Sequence, residues 1–86
     1  MTAPHHVLLT SSQLGQVLQA ARKARKLSQS TLASRIGLSQ SRVSHLELNA
    51  QDLSVAQLLA WSSALGLELT LGPRGGATPA STEAAW

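Results

Sequence analysis

Apolar positions recur at helical spacing along most of the chain and change to strand spacing near residue 67. Thr10-Ser-Ser-Gln13 has the form of a capping box, in which the Thr10 hydroxyl and the Gln13 side chain satisfy free N–H groups at a helix start. A first helix should therefore begin at Ser11. Leu14, Val17, Leu18 and Ala21 follow at i, i+3, i+4 and i+7, one apolar stripe. The helix ends near Arg25 or Lys26, where basic side chains suit the negative end of the helix dipole. Ser28 caps a second helix from Gln29 to Ile36, with Leu32, Ala33 and Ile36 on one face. Gly37 stops it in a left-handed conformation, and Ser39 caps a third helix from Gln40 to about Leu48 with Val43 and Leu46 inward. Asn49 to Asp52 reads as a turn. Ser54-Val-Ala-Gln57 repeats the capping box and opens a fourth helix, which carries Leu58, Leu59, Trp61 and Leu65 and ends at Gly66.

Leu67, Leu69 and Leu71 then alternate with Glu68 and Thr70, the pattern of a half-buried strand. An unpaired strand leaves its amides and carbonyls unsatisfied. The strand is therefore expected to pair with its own copy across a C2 homodimer, Val7 to Leu9 being the alternative partner. From Gly72 the chain is rich in Gly, Pro, Ala, Ser and Thr and reads as a disordered tail. Its terminal Trp86 is either an unselected last residue or an anchor for a partner or protease, and both readings stay open. The chain thus divides into an N-terminal extension (1–9), an all-α domain with one C-terminal β-strand (10–71) and a tail (72–86).

Eighty-six residues form one small domain, too small for a large active-site cleft. Without cysteine there is no thiolate metal site or cysteine nucleophile, and without Phe or Tyr there is no stacking platform for single-stranded bases. No nucleophile stands with a general base, and no carboxylates are paired for acid–base work, so no enzyme, cofactor or metal is expected. His5-His6 lack further ligands and read as surface residues. No run approaches the ~20 apolar residues of a membrane span, and the N-terminus lacks the basic start of an export signal. A soluble cytoplasmic protein is expected, nucleoid-associated when bound to DNA. Charge adds a direction. Residues 1–46 hold six of the seven cations and no carboxylate, whereas the remainder has one arginine against four acids. A basic half of this kind points to an anionic partner, nucleic acid first.

Helix, glycine turn, helix from Gln29 to Leu48 has helix-turn-helix spacing, with Ala33 small where the two helices approach most closely. The outward face of the third helix would be Gln40, Ser41, Arg42, Ser44 and His45. Gln pairs bidentately with adenine, Ser donates or accepts, and Arg takes guanine or phosphate, so this face suits the major groove of double-stranded DNA. Arg25, Lys26, Arg35 and Arg42 are phosphate candidates, while Lys23 reads as solvated surface.

The run ARKARKLSQSTLASRIGLSQSRVSHLELN resembles the Xre/Cro-type helix-turn-helix of phage repressors. The TSSQL start, the LGLELTL segment and the Trp-ended tail resemble one branch of it, the HipB-type antitoxins. That resemblance implies a lambda-repressor-like bundle in a homodimer that binds the palindromic operator of its own operon. It also implies a HipA-type kinase toxin held inactive as partner. Carried onto this chain, it implies that Gln40, Ser41, Ser44 and His45 meet base edges and that Gln29 and Ser39 contact phosphates. It also implies a partly buried ion pair between Arg22 and Glu47. Thr31 stands where such domains commonly carry an acid, and Arg42 is bulkier than the usual small polar residue, so the operator sequence does not carry over. A stand-alone Xre-type regulator without a toxin is the alternative.

Overall fold

A computed structural model describes residues 7–73. Helix α1 spans Ser11–Ala24, α2 Gln29–Ile36, α3 Gln40–Leu48 and α4 Val55–Ala64, with one 3-10 turn, Ala50–Asp52, between the last two. Each start has a chemical cause. Thr10 and Gln13 form a reciprocal capping box on α1, as do Ser54 and Gln57 on α4. The Ser28 and Ser39 side chains accept from the N–H groups of Thr31 and Arg42 at the starts of α2 and α3. Gly37 closes α2 at φ 75°, a left-handed conformation that glycine adopts without strain. At the end of α1 the corresponding turn is made by Lys26, at φ 57°.

Helix α3 packs on α1 and α2, and α4 packs on α2. Leu18, Leu32, Ala33, Val43, Leu46, Trp61 and Leu65 form the buried core, with Leu27, Ile36, Leu38 and Leu53 among the residues closing its margin. In α1 the stripe is narrower than its periodicity suggests. Leu18 is buried, Leu14, Val17 and Ala21 are half-buried, and Gly15 is buried where α1 crosses the end of α3. A Cβ at Gly15 would run into the Glu47 carbonyl, so the approach of the two helices requires glycine. In α4, Trp61 and Leu65 point inward, whereas Leu59 is 52 % exposed and Val55 72 %. The Trp61 indole Nε1 finds no acceptor among the described residues.

Residues 67–73 carry no regular secondary structure, and no strand occurs among the described residues. Leu67 packs against the core margin, but Leu69 and Leu71 face outward, as do Val7 and Leu9. Among the described residues 67–71 has no ladder partner, and its alternating pattern is not converted into a strand there. His5, His6 and Trp86, and most of the extension and tail, lie outside the described residues.

Candidate nucleic-acid interface

Helices α2 and α3 are joined by Gly37, Leu38 and Ser39, a turn fixed by the left-handed glycine and by the Leu38 N–H donating to the Ala33 carbonyl at 3.0 Å. Val43, Leu46 and Glu47 are the buried side of α3. Its other side presents Gln40, Ser41, Arg42 and His45 to solvent, with Ser44 half-buried. The N-termini of α2 and α3, each with a serine cap, add free N–H groups and the positive end of a helix dipole, a combination suited to phosphate oxygens. Arg35 and Arg42 are exposed cations on these two helices.

Beneath this face lies a buried ion pair. Arg22 Nε donates to Glu47 Oε2 at 2.6 Å and Nη2 donates to Oε1 at 3.2 Å, while Nη1 donates to the Leu27 carbonyl at 2.8 Å. The pair ties α1 to α3 and to the α1–α2 turn, and both of its residues are buried. The hydrogen bonds then continue outward. Gln29 Nε2 donates to Glu47 Oε1 at 3.0 Å, and Gln40 Nε2 donates to Gln29 Oε1 at 2.7 Å. Residues from three helices are thereby joined to the first exposed side chain of α3. The side-chain amide of Gln29 is engaged on both sides within the protein, by Glu47 and by Gln40.

The remaining candidates are spread more widely. Ser39 and Ser41 hydroxyls lie 3.3 Å apart at the start of α3. His45 is held to one side, its Nε2 2.7 Å from Asp52 Oδ2 and its Nδ1 3.5 Å from the Asn49 amide nitrogen. Asp52 is a neighbour that sequence reasoning placed only in a turn; an acid seven residues after His45, across a helix end, gives no periodic signal. Arg25 lies over Gly66, at the end of α4, and Lys26 occupies the α1–α2 turn. The structure therefore groups Gln29, Ser39, Gln40, Ser41, Arg42 and Arg35 on the α2–α3 unit and sets Arg25 apart from it. No described helix is long and apolar enough to cross a membrane.

Comparison with known proteins agrees with this geometry. A chain in a structure of a HipA-HipB-O2-O3 complex superposes with a TM-score of 0.75 at 24 % identity, covering 81 % of this chain and 99 % of that one. A chain of a structure described as MDT Protein superposes with the same score, identity and coverage. At that identity the likeness establishes the fold. An uncharacterized HTH-type transcriptional regulator of Sinorhizobium fredii, y4dL, is 38 % identical over 64 residues, which are 74 % of this chain. The chain spans about a third of the length of that relative, 33 %. The helix-turn-helix family model matches residues 18–71, well over half of the sequence. The chain thus belongs to the helix-turn-helix family, the DNA-binding fold of Xre-type transcriptional regulators.

Proposed function

We propose that this protein is a HipB-type antitoxin and autorepressor: a homodimer that binds a palindromic operator through α3 and neutralises a HipA-type kinase toxin. The observation that carries the DNA reading is the outward face of α3, Gln40, Ser41, Arg42 and Ser44, beside two serine-capped helix N-termini. Among the described residues of α2 and α3, no free carboxylate would oppose the phosphates there. Glu47 is buried against Arg22, and Asp52 is occupied by His45. Gln40, Ser41 and Ser44 read base edges, with His45 one turn further along, while Ser39, the start of α2 at Gln29, Arg35 and Arg42 contact phosphate. Arg25 and Lys26 approach the backbone further out. Each phosphate neutralised adds about −0.9 to the slope of log K against log salt, so a dimer with several such contacts binds with steep salt dependence.

Dimerisation is assigned to 67–71, where Leu69 and Leu71 stand outward and a second copy would supply the missing ladder. Deleting these five residues should give a monomer in sedimentation, and a surviving dimer removes the strand from the interface. The toxin reading is supported by the LELTL segment, the Trp-ended tail and the fold shared with a chain of the HipA-HipB-O2-O3 complex. Its test is purification of the tagged protein from its host at moderate salt, with nuclease treatment. A stoichiometric kinase-like protein that stays bound supports the antitoxin. Complete release by nuclease leaves a stand-alone regulator.

A further inference from the structure

Three side chains at the end of α3 form a closed set whose hydrogens chemistry alone assigns. The Asn49 amide nitrogen donates to the His45 carbonyl at 3.0 Å, which fixes the end of the amide that faces the ring. The same nitrogen, 3.5 Å from Nδ1, can only donate again, so His45 Nδ1 is the acceptor. Across the ring the Asp52 carboxylate can only accept, so Nε2, 2.7 Å from it, carries the hydrogen. The set is complete for a neutral imidazole. It is incomplete for the imidazolium, in which Nδ1 also carries a hydrogen and points it at an N–H group. Asn49 can offer its oxygen instead only by giving up the His45 carbonyl, and Asp52 lies on the other side of the ring.

We propose that His45 is a proton-gated contact of the DNA interface, tied back to the protein as the neutral imidazole and released to DNA by protonation. The inference rests on the DNA-binding reading above, in which the outward face of α3 meets the major groove. His45 lies on that face, exposed, one turn beyond Ser41. While neutral it has both nitrogens engaged within the protein and leaves DNA no donor. Once protonated it gains a charge and an Nδ1 hydrogen that needs an acceptor. DNA supplies two kinds, phosphate oxygens and base-edge acceptors such as guanine N7 and O6. Among the surrounding elements the 3-10 turn contributes Asp52, and α3 contributes Arg42, one turn earlier, with Glu47 buried against Arg22. Arg35 is the single charged residue of α2, α4 has none, and α1 has none before Arg22. Because DNA takes the protonated form, the two events reinforce each other. Affinity rises as pH falls, and the bound state keeps its proton to higher pH than the free one.

The test uses the full-length protein and a site selected by it from a randomised double-stranded DNA library. Affinity is measured by fluorescence anisotropy between about pH 8 and about pH 5, the range in which histidine changes charge, with circular dichroism to establish folding at each pH. The wild type should bind about fivefold or more tightly at the acid end. His45→Gln keeps a polar side chain but takes no proton, and it should lose most of that gain although His5 and His6 are still present. The His45 imidazole resonance should titrate at higher pH in the complex than in the free protein. A salt slope steeper at acid pH by about 0.9 per protomer identifies the acceptor as a phosphate. A guanine preference that enters the selected site only at acid pH identifies it as a base edge. Wild-type affinity that does not change with pH overturns the proposal. So does a folded His45→Gln protein that keeps the full gain, or a His45 titration that DNA leaves in place or moves to lower pH. Failure to bind any sequence at either pH would instead remove the DNA-binding reading, and this proposal with it.

Discussion

Two acidic side chains hold the C-terminal half of α3 at nearly the same distance, 2.6 Å for Arg22–Glu47 and 2.7 Å for His45–Asp52, yet they do different things. The side chains of the first pair are 8 % and 1 % exposed; those of the second are 44 % and 47 % exposed. The buried pair is largely withdrawn from water, so the Glu47 and Arg22 charges depend on each other and on Leu27 and Gln29 for compensation. In the exposed pair water replaces either partner at small cost. Burial, not length, decides which contact the fold depends on.

Glu47→Ala should show the largest effect. It leaves the Arg22 guanidinium buried without its carboxylate and should cost about 3–5 kcal/mol in denaturant unfolding. Replacing both partners with apolar residues, Arg22→Met with Glu47→Leu, should recover much of that loss. Unchanged melting together with lost DNA binding in Glu47→Ala would contradict a structural role for the pair. Gly15→Ala comes next. Its methyl group meets the Glu47 carbonyl, so α1 must move off α3 and strain the ion pair from the backbone side, at about 1–3 kcal/mol. A wild-type melting temperature would show that the two helices can separate freely. Asp52→Ala should cost within about 1 kcal/mol, because its contact with His45 is solvated. A loss as large as that of Glu47→Ala would erase the distinction between the two pairs.

The helices were legible because their signals are local. A hydroxyl at the cap, Gln three residues later in α1 and α4, and a glycine after Ile36 all act within one turn of the backbone they satisfy, and α2 and α3 run over the stretches their caps and stops predict. The alternation of Leu67, Leu69 and Leu71 is equally plain as a pattern. A pattern of period two, however, specifies only which side chains share a face and not what the backbone bonds to, and among the described residues the segment is without a ladder. Leu59 shows the same limit inside a helix: its position adjoins the buried stripe, but α4 turns it outward while Trp61 and Leu65 take the core.

Other relations had no sequence signal at all. Gln29 reaches Glu47 and Gln40 over 18 and 11 residues, His45 reaches Asp52 across a helix end, and Arg25 settles over Gly66. By itself the sequence determined the helices, their caps, the glycine turn and the basic half of the chain, because propensity, capping and charge are properties of neighbouring residues. Tertiary structure alone decided which polar side chains meet beneath α3 and which way their amides point. Those outcomes depend on how three helices pack, and packing brings together residues that no local period relates.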